Sequence, residues 1–217
     1  MSLTSDQTKV YFHDRARQFD SLYNEERNFD YYFNRIFRRA LYDRVRFTVE
    51  AFEGMHDFSV LDIGSGSGRN SVIFAKSGAR RVLGVDFAEN MVSLARDHSI
   101  LQGEQKKCEF VKANAMEYPF TEKFDAVAAL GVLDYVAEPV EFLRRMASLA
   151  DKKVIASFPS PSLIRAPLRK LRYSMRDCPV FFYSRKRLQE ICKAAGLTDY
   201  KLIGLAHSGY LLVASVN

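Results

Sequence analysis

The sequence has no apolar run that approaches the roughly 20 residues needed to span a bilayer. Its first ten residues, MSLTSDQTKV, lack the apolar core of a signal peptide. Cysteine is scarce: Cys108, Cys178 and Cys192 form no C-x-x-C pair and have no metal-ligand spacing. We therefore expect reduced thiols, no metal site and a cytoplasmic location.

The composition is that of a globular chain with a moderate excess of positive charge. The 217 residues are enough for one domain with a sizeable core. Hydrophobic residues make up 47% of the chain and charged residues 27%. The net charge of +6 suits nucleic acid, anionic lipid surfaces or acidic small molecules, and does not choose among them.

Short β-rich runs alternate with helical stretches over residues 58–157. The predicted strands are 58–63, 81–86, 108–113, 124–130 and 153–158, and the predicted helices lie near 68–77, 89–98, 138–149 and 184–195. The last helix has Ser184 as N-cap and Gly196 after its final turn. Further β-rich runs at 199–206 and 209–216 can form an antiparallel hairpin. We therefore expect a doubly wound α/β fold with a mostly parallel seven-stranded sheet, an antiparallel last strand and helices on both faces.

The regions on either side of this alternating pattern differ from it. Residues 1–54 carry apolar side chains at helical spacing, which predicts one or two helices ending near Gly54 as a C-cap. Residues 159–183 contain four prolines and many basic residues. We expect one structural domain, in which 1–54 is a helical lid, 55–217 is the core and 159–183 is an insertion on the acceptor side.

A glycine-rich turn follows the first predicted strand. In VLDIGSGSGRNS (60–71), the strand runs into Gly64-Ser65-Gly66-Ser67-Gly68 and then into a helix. Glycines let the backbone turn tightly and let a ligand approach, and the helix start directs N–H groups at that ligand. The dinucleotide fingerprint G-x-G-x-x-G would need glycine where Arg69 stands, and no G-K-[ST] follows. Pyrophosphate and P-loop sites are therefore disfavoured.

Asp86 ends the second predicted strand. A carboxylate at this place can accept hydrogen bonds from both hydroxyls of a ribose. The alternative is that the glycine turn serves packing alone and that Asp86 only caps a helix. Since the two signals occur together, with strands and helices in the right order, they favour an adenosyl-binding site.

These segments resemble the class I S-adenosylmethionine-dependent methyltransferases that act on small molecules. VLDIGSGSG resembles the first motif of that family, and GVDFAENMVSLAR resembles the second. ANAMEYPF (113–120) resembles the segment that contacts adenine, and FDAVAALGVLDYV (124–136) resembles the motif whose end lies beside the methyl group. The resemblance covers about residues 58–158 and implies S-adenosylmethionine as cofactor, with S-adenosylhomocysteine as product.

The resemblance also implies which residues contact the cofactor. Near its methionine part it places Asp62, Gly64, Ser65, Gly66, Gly68, Leu130 and Gly131; at the ribose, Asp86; and near adenine, Phe87, Met91, Asn114, Ala115 and Met116. Asn114 stands where the family often has aspartate, but its carbonyl oxygen can still face the adenine amino group. Ordinary core packing is the alternative for Phe87, Met91 and Met116.

The acceptor side is less defined. The stretch 10–23 resembles the lead-in helix of methyltransferases acting on quinone or porphyrin precursors, which implies a lid with Tyr11 and Tyr23 near the sulfonium. Packing on a helix face is the alternative for both tyrosines. His207, Tyr183 and His13 are weak candidates for a catalytic base, and the catalytic residue stays unassigned.

Basic residues are concentrated in and after the insertion. They are Arg165, Arg169, Lys170, Arg172, Arg176, Arg185, Lys186 and Arg187. They either attract an anionic acceptor or form a solvated face. The family resemblance also brings a contrast, because residues 131–135 read GVLDY and not the [DN]-P-P-[YF] of enzymes that methylate base or glutamine nitrogen. We expect a small, anionic or aromatic acceptor, with an RNA methyltransferase or a non-catalytic cofactor-binding scaffold as alternatives.

Overall fold

The computed structural model describes residues 31–161, 180–205 and 208–216, with side chains from residue 41 onward. Tyr11, His13, Tyr23, His207 and most of the insertion, including Arg165, Arg169, Lys170, Arg172 and Arg176, lie outside the described residues. The predictions for these residues therefore stay predictions.

A single sheet of seven strands organises the described residues. The strands are β1 (Phe58–Ile63), β2 (Ala79–Asp86), β3 (Cys108–Lys112), β4 (Phe124–Ala129), β5 (Ala150–Pro159), β6 (Tyr200–Leu205) and β7 (Gly209–Ser215). Their order is β3-β2-β1-β4-β5-β7-β6, and β1 to β5 are parallel. β7 is antiparallel to both β5 and β6, which confirms the predicted fold. The antiparallel strand lies inside the sheet, so the edge strand on this side is β6.

Helices cover both faces of the sheet. They are α1 (Tyr31–Glu50), α2 (Arg69–Lys76), α3 (Glu89–Leu101), α4 (Pro139–Leu149) and α5 (Arg185–Ala194). All six residues of β1 are buried, because its side chains alternate between two cores. Leu61 packs in the core under α4 and α5, whereas Val60 packs in the core under α2 and α3.

The helix boundaries follow local chemistry. The Ser184 side chain accepts a hydrogen bond from the backbone N–H of Arg187 and so caps α5, as predicted. Gly196 follows that helix with a φ of 83°, which suits a residue without a side chain. The prediction for α1 needs a correction, because the helix ends at Glu50 and hydrogen-bonded turns continue to Gly54, where φ is 79°.

The C-terminal end of α1 is attached to the sheet. Phe52 packs against Phe58 and Phe74, with ring centroids 5.0 and 5.3 Å away. Lys153 on β5 donates a hydrogen bond to the carbonyl oxygen of Ala51. α1 therefore joins α2 and α3 on one face, and its side chains can reach the carboxyl ends of the strands. None of the helices in the described part of the chain has the length and apolarity to cross a membrane.

Candidate cofactor site

The strand order reverses between β1 and β4, which are neighbours in the sheet. β2 and β3 follow on one side of this pair, and β5 follows on the other. Connections after β1 and β4 therefore leave in opposite directions and open a crevice at the carboxyl ends of these strands. Such a switch point is where open α/β sheets bind ligands.

The glycine turn after β1 is tied to β2. The N–H groups of Gly64 and Ser65 donate to the carbonyl oxygen of Val85, at 2.7 and 3.2 Å. The N–H of Gly68 donates to the carbonyl oxygen of Ser65 at 3.0 Å. Gly64, Gly66 and Gly68 have φ values of 69°, 54° and 75°, all in the left-handed region that glycine tolerates best.

The three glycines of this turn have different surroundings. A Cβ atom at Gly64 would lie 2.4 Å from Cγ2 of Val132, in the loop after β4. A Cβ atom at Gly68 would lie 2.8 Å from Cβ of Ala95 on α3. A Cβ atom at Gly66 would meet no atom of the described residues within 4 Å. Gly64 and Gly68 thus allow close packing of the chain, whereas Gly66 borders a space that the described residues leave open.

Asp86 joins the end of β2 to the glycine turn. Its carboxylate accepts hydrogen bonds from the N–H of Gly66 at 3.0 Å and from the N–H of Ala88 at 2.9 Å. The side chain is buried, and this burial raises the pKa of the carboxyl, while the hydrogen bonds from Ala88 and Gly66 oppose the rise.

Asp62 lies deeper, at the end of β1. It is only 1% exposed and accepts a hydrogen bond from the Ser71 hydroxyl at 2.6 Å. Burial raises the pKa of its carboxyl to about 7, against the lowering effects of the Ser71 hydrogen bond and of the Arg44 charge. Asp62 is closed off from solvent, and its predicted contact with the methionine part of the cofactor stays a prediction.

Arg44 on α1 was not predicted from the sequence. Its Nη1 atom donates to Oγ of Ser157 on β5 over 3.4 Å, and this Oγ also accepts from the N–H of Gly131 at 2.8 Å. A Cβ atom at Gly131 would lie 3.1 Å from Nη1 of Arg44. The guanidinium therefore stands at the carboxyl ends of β4 and β5, beside the crevice.

Two buried polar atoms near the crevice have no hydrogen-bond partner within the described part of the chain. They are Nε of Arg44 and Oγ of Ser65. A buried polar atom without a partner costs about 1–3 kcal/mol, so native structures seldom leave one without a reason. A polar ligand in the crevice would supply the missing partners.

The segment after β3 is also fixed beside Asp86. The N–H of Ala113 donates to the carbonyl oxygen of Asp86 at 2.9 Å. Asn114 then caps a turn, because its Oδ1 accepts from the N–H of Met116 at 3.1 Å and its carbonyl oxygen accepts from the N–H of Tyr118 at 2.8 Å. Ala115 is buried, while Met116 is 39% exposed.

Other residues that were predicted to contact the cofactor pack in the hydrophobic core. Met91 is 4% exposed and packs with Ala88, with Phe87 partly buried against them. Leu130 is 6% exposed and belongs to the core under α2 and α3. Gly131, with a φ of 85°, turns the chain away from β4.

Comparisons with known proteins agree with this geometry. The family described as "Methyltransferase domain" matches residues 61–156. The ubiquinone biosynthesis O-methyltransferase of Stutzerimonas stutzeri (strain A1501) is 37% identical over 90 residues, which are 42% of this chain and 38% of that protein. The mitochondrial ubiquinone biosynthesis O-methyltransferase of Arabidopsis thaliana is 34% identical over 103 residues, 47% of this chain and 31% of that protein. The chain thus spans less than half the length of these relatives.

A solved structure resembles the fold over nearly the whole chain. The magnesium protoporphyrin IX methyltransferase of Synechocystis PCC 6803, solved with bound S-adenosylhomocysteine, has a TM-score of 0.79 and 20% sequence identity. The match covers 98% of this chain and 100% of that one. Residues 61–156 therefore match a methyltransferase domain, and the sheet around them has the fold of a methyltransferase that was solved with S-adenosylhomocysteine.

Tyr183, just before α5, is packed against the loop after β4. Its hydroxyl donates to the carbonyl oxygens of Leu133 and Val136, at 3.3 and 3.2 Å, and its ring meets Phe158 edge to face. Burial raises the pKa of the phenol to about 12. This placement favours a role in fastening the loop after β4 over a role as a base.

The basic residues that follow the insertion face solvent. Arg185, Lys186 and Arg187 are exposed on the first turn of α5, and Arg187 pairs with Glu190 at 3.2 Å. Their described surroundings correspond to a solvated helix face.

Proposed function

We propose that this chain transfers the methyl group of S-adenosylmethionine to a small acceptor. The observation that carries the proposal is the link between Asp86 and Gly66 at the switch point. It combines a carboxylate at the end of β2 with a glycine beside a space that the described residues leave open. An adenosyl group needs both features, one for its ribose hydroxyls and one for close approach of the backbone.

The residues around the crevice fit the other parts of the cofactor. We assign the ribose hydroxyls to Asp86 and the adenine to the turn at 113–118. The guanidinium of Arg44 would bind the carboxylate of the methionine part, because its Nε has no hydrogen-bond partner among the described residues and a carboxylate suits a cation. The buried Oγ of Ser65 would find its partner on the same ligand.

The bound cofactor supplies a methyl group on a sulfonium, which already carries its own leaving group. The chain then has to hold the acceptor in line, exclude water and, if the acceptor is protonated, remove a proton. The loop after β4 is suited to the positioning role, because Val132 touches the glycine turn and Tyr183 fastens Leu133 and Val136.

The acceptor is proposed to be small and anionic or aromatic. Relatives of this chain are named for O-methylation in ubiquinone biosynthesis, and the structural neighbour is named for magnesium protoporphyrin IX. We assign residues 1–54 to a helical lid and residues 159–183 to an acceptor-side cover, whose basic residues would attract an anionic group.

We also infer a cytoplasmic location. Cys108 and Cys192 are buried free thiols, and reduced cysteines are typical of that compartment. A measurement of the protein in separated cell fractions checks this inference, and recovery outside the cytoplasmic fraction would contradict it.

Calorimetry with S-adenosylhomocysteine tests the cofactor assignment, and a methyl-transfer screen of phenols, carboxylates and RNA tests the reaction. We expect binding of the cofactor product and turnover on a phenol or carboxylate. Absence of binding would overturn the proposal. Binding without turnover would favour a scaffold, and turnover on RNA with a steep salt dependence would favour an RNA methyltransferase.

A further inference from the structure

Helix α4 carries two neighbouring arginines that hold different parts of the molecule. Arg145 is half-buried, and its Nη2 donates to the carbonyl oxygen of Tyr118 at 2.7 Å. Its Nε donates to the carbonyl oxygen of Ala115 over 3.5 Å. Arg144 is exposed and donates instead to the carbonyl oxygen of Ala194, at the end of α5, at 2.6 Å.

Arg145 also stacks on the segment it binds. Its Cζ atom lies 5.6 Å from the ring centroid of Phe120, within the range of a cation–π contact. Phe120 in turn meets Tyr118 edge to face, with centroids 4.8 Å apart. One guanidinium therefore contacts the turn at 115, at 118 and at 120.

Arg145 contacts the turn at 113–118 from another element of the fold, helix α4. The hydrogen bonds of Asn114 to Met116 and Tyr118 fix the shape of the turn, but they do not fix its position relative to the sheet. Its anchor at the start is the bond between Ala113 and Asp86, at 2.9 Å. Arg145 supplies anchors further along, at the carbonyl oxygens on either side of the exposed Met116.

We propose that Arg145 is a positioning residue that sets the selectivity of the site for adenine. The inference rests on the proposed function, which assigns the turn at 113–118 to the adenine edge. Adenine carries a donor amino group at position 6, where hypoxanthine carries an acceptor oxygen. A turn held in place can read this difference through Asn114 or a backbone group, whereas a displaced turn reads it poorly because hydrogen bonds weaken steeply with poor geometry.

The test compares two ligands by calorimetry, S-adenosylhomocysteine and S-inosylhomocysteine. The variant is Arg145→Met, which keeps an apolar stem and removes the guanidinium, and the matched control is Arg144→Met. We expect the wild-type chain to prefer the adenosyl ligand by about tenfold or more, as expected for a buried hydrogen bond to a base edge. Arg145→Met should reduce this ratio by at least about fivefold, while Arg144→Met keeps it.

Arg145→Lys is the second variant, since a lysine keeps the charge but lacks the planar fork that serves two carbonyls. We expect an intermediate selectivity ratio. An unchanged ratio in a folded Arg145→Met or Arg145→Lys chain would overturn the inference, and so would an equal loss of affinity for both ligands. If the wild-type chain binds neither ligand, the proposed function fails and the inference fails with it; if it binds both and Arg145 variants keep the ratio, only the inference fails.

Discussion

The carboxylate of Asp86 and the backbone N–H of Gly66 are joined by a hydrogen bond of 3.0 Å on the β2 side of the crevice. The bond connects the end of β2 with the turn after β1, so the two sequence signals for an adenosyl site meet in one place. Asp86 therefore has two roles in this proposal: it fixes the glycine turn through Gly66, and it binds the ribose of the ligand.

Replacing Asp86 by asparagine should weaken binding of S-adenosylhomocysteine by about 100-fold or more. The reason is that hydrogen bonds to a charged group contribute roughly 1.5–3 kcal/mol, and the ribose offers two of them. Calorimetry measures the loss. Asp97→Asn, at an exposed position on α3, is the matched control and should bind like the wild-type chain. Retained affinity in Asp86→Asn would contradict the ribose assignment.

Alanine at Gly66 and alanine at Gly68 should have opposite main effects. At Gly66 the new Cβ meets no atom of the described residues, so the free energy of unfolding falls by only about 1 kcal/mol, because the backbone is left-handed there. Binding of S-adenosylhomocysteine should fall at least about tenfold. At Gly68 the new Cβ would lie 2.8 Å from Ala95 and 2.9 Å from Phe110, so the free energy of unfolding falls by about 2–4 kcal/mol. Urea unfolding and calorimetry separate the two effects. Equal losses in both measurements for both variants would refute this division of roles.

Much of the fold could be predicted because its signals are local. The strand Phe58–Ile63 is a largely apolar run whose six residues are all buried, and the alternation of such runs with helices predicts parallel order without knowledge of contacts. The boundary of α1 was harder, since its last helical hydrogen bonds depend on how Phe52 packs against Phe58 and Phe74. The position of β7 between β5 and β6 depends on long-range pairing in the same way.

The placement of Asp86 beside Gly66 was predictable, because sequence motifs mark both residues. Arg44 was missed because its role depends on how α1 docks on the sheet. In the structure, Arg44 precedes the fully buried Thr48 by one helical turn, so the arginine extends the buried side of the helix, and that burial cannot be read from the sequence. The different tasks of Gly64, Gly66 and Gly68 could not be predicted, because they depend on Val132 and Ala95 in other elements.

The stability of the chain should depend on the protonation of Asp62. Burial raises the pKa of this carboxyl to about 7 in the folded state, from about 3.9 in the unfolded chain. Between these values the folded state binds more protons, so the free energy of unfolding falls as pH rises, by up to about 1.4 kcal/mol per pH unit.

Asp62→Asn removes this contribution and keeps an acceptor for Ser71. The free energy of unfolding of both chains is measured in urea at pH 4.5, 5.5 and 6.5. As pH rises, the wild-type chain should lose stability relative to Asp62→Asn. Parallel pH profiles of the two chains would show that Asp62 does not titrate in this range.

Removing the hydroxyl of Tyr183 should affect stability more than chemistry. Tyr183→Phe loses the hydrogen bonds to Leu133 and Val136, which should lower the free energy of unfolding by about 1 kcal/mol. Turnover on the acceptor found in the screen should persist with the same pH profile. Tyr42→Phe, whose ring is 69% exposed, is the control and should leave stability unchanged. Loss of turnover by Tyr183→Phe without loss of stability would restore Tyr183 as a candidate base.

Arg44 should distinguish ligands that carry a carboxylate from ligands that lack it. Arg44→Met should weaken the binding of S-adenosylhomocysteine by about 10- to 100-fold, since a charge-assisted hydrogen bond contributes roughly 1.5–3 kcal/mol. The decarboxylated analogue, S-adenosyl-3-thiopropylamine, should bind the wild-type chain and Arg44→Met with equal affinity. Arg46→Met on the same helix is the matched control, because Arg46 is exposed and pairs with Asp43 and Glu50. An equal loss for both ligands would mean that Arg44 supports the crevice through Ser157 and Gly131 and does not bind the carboxylate.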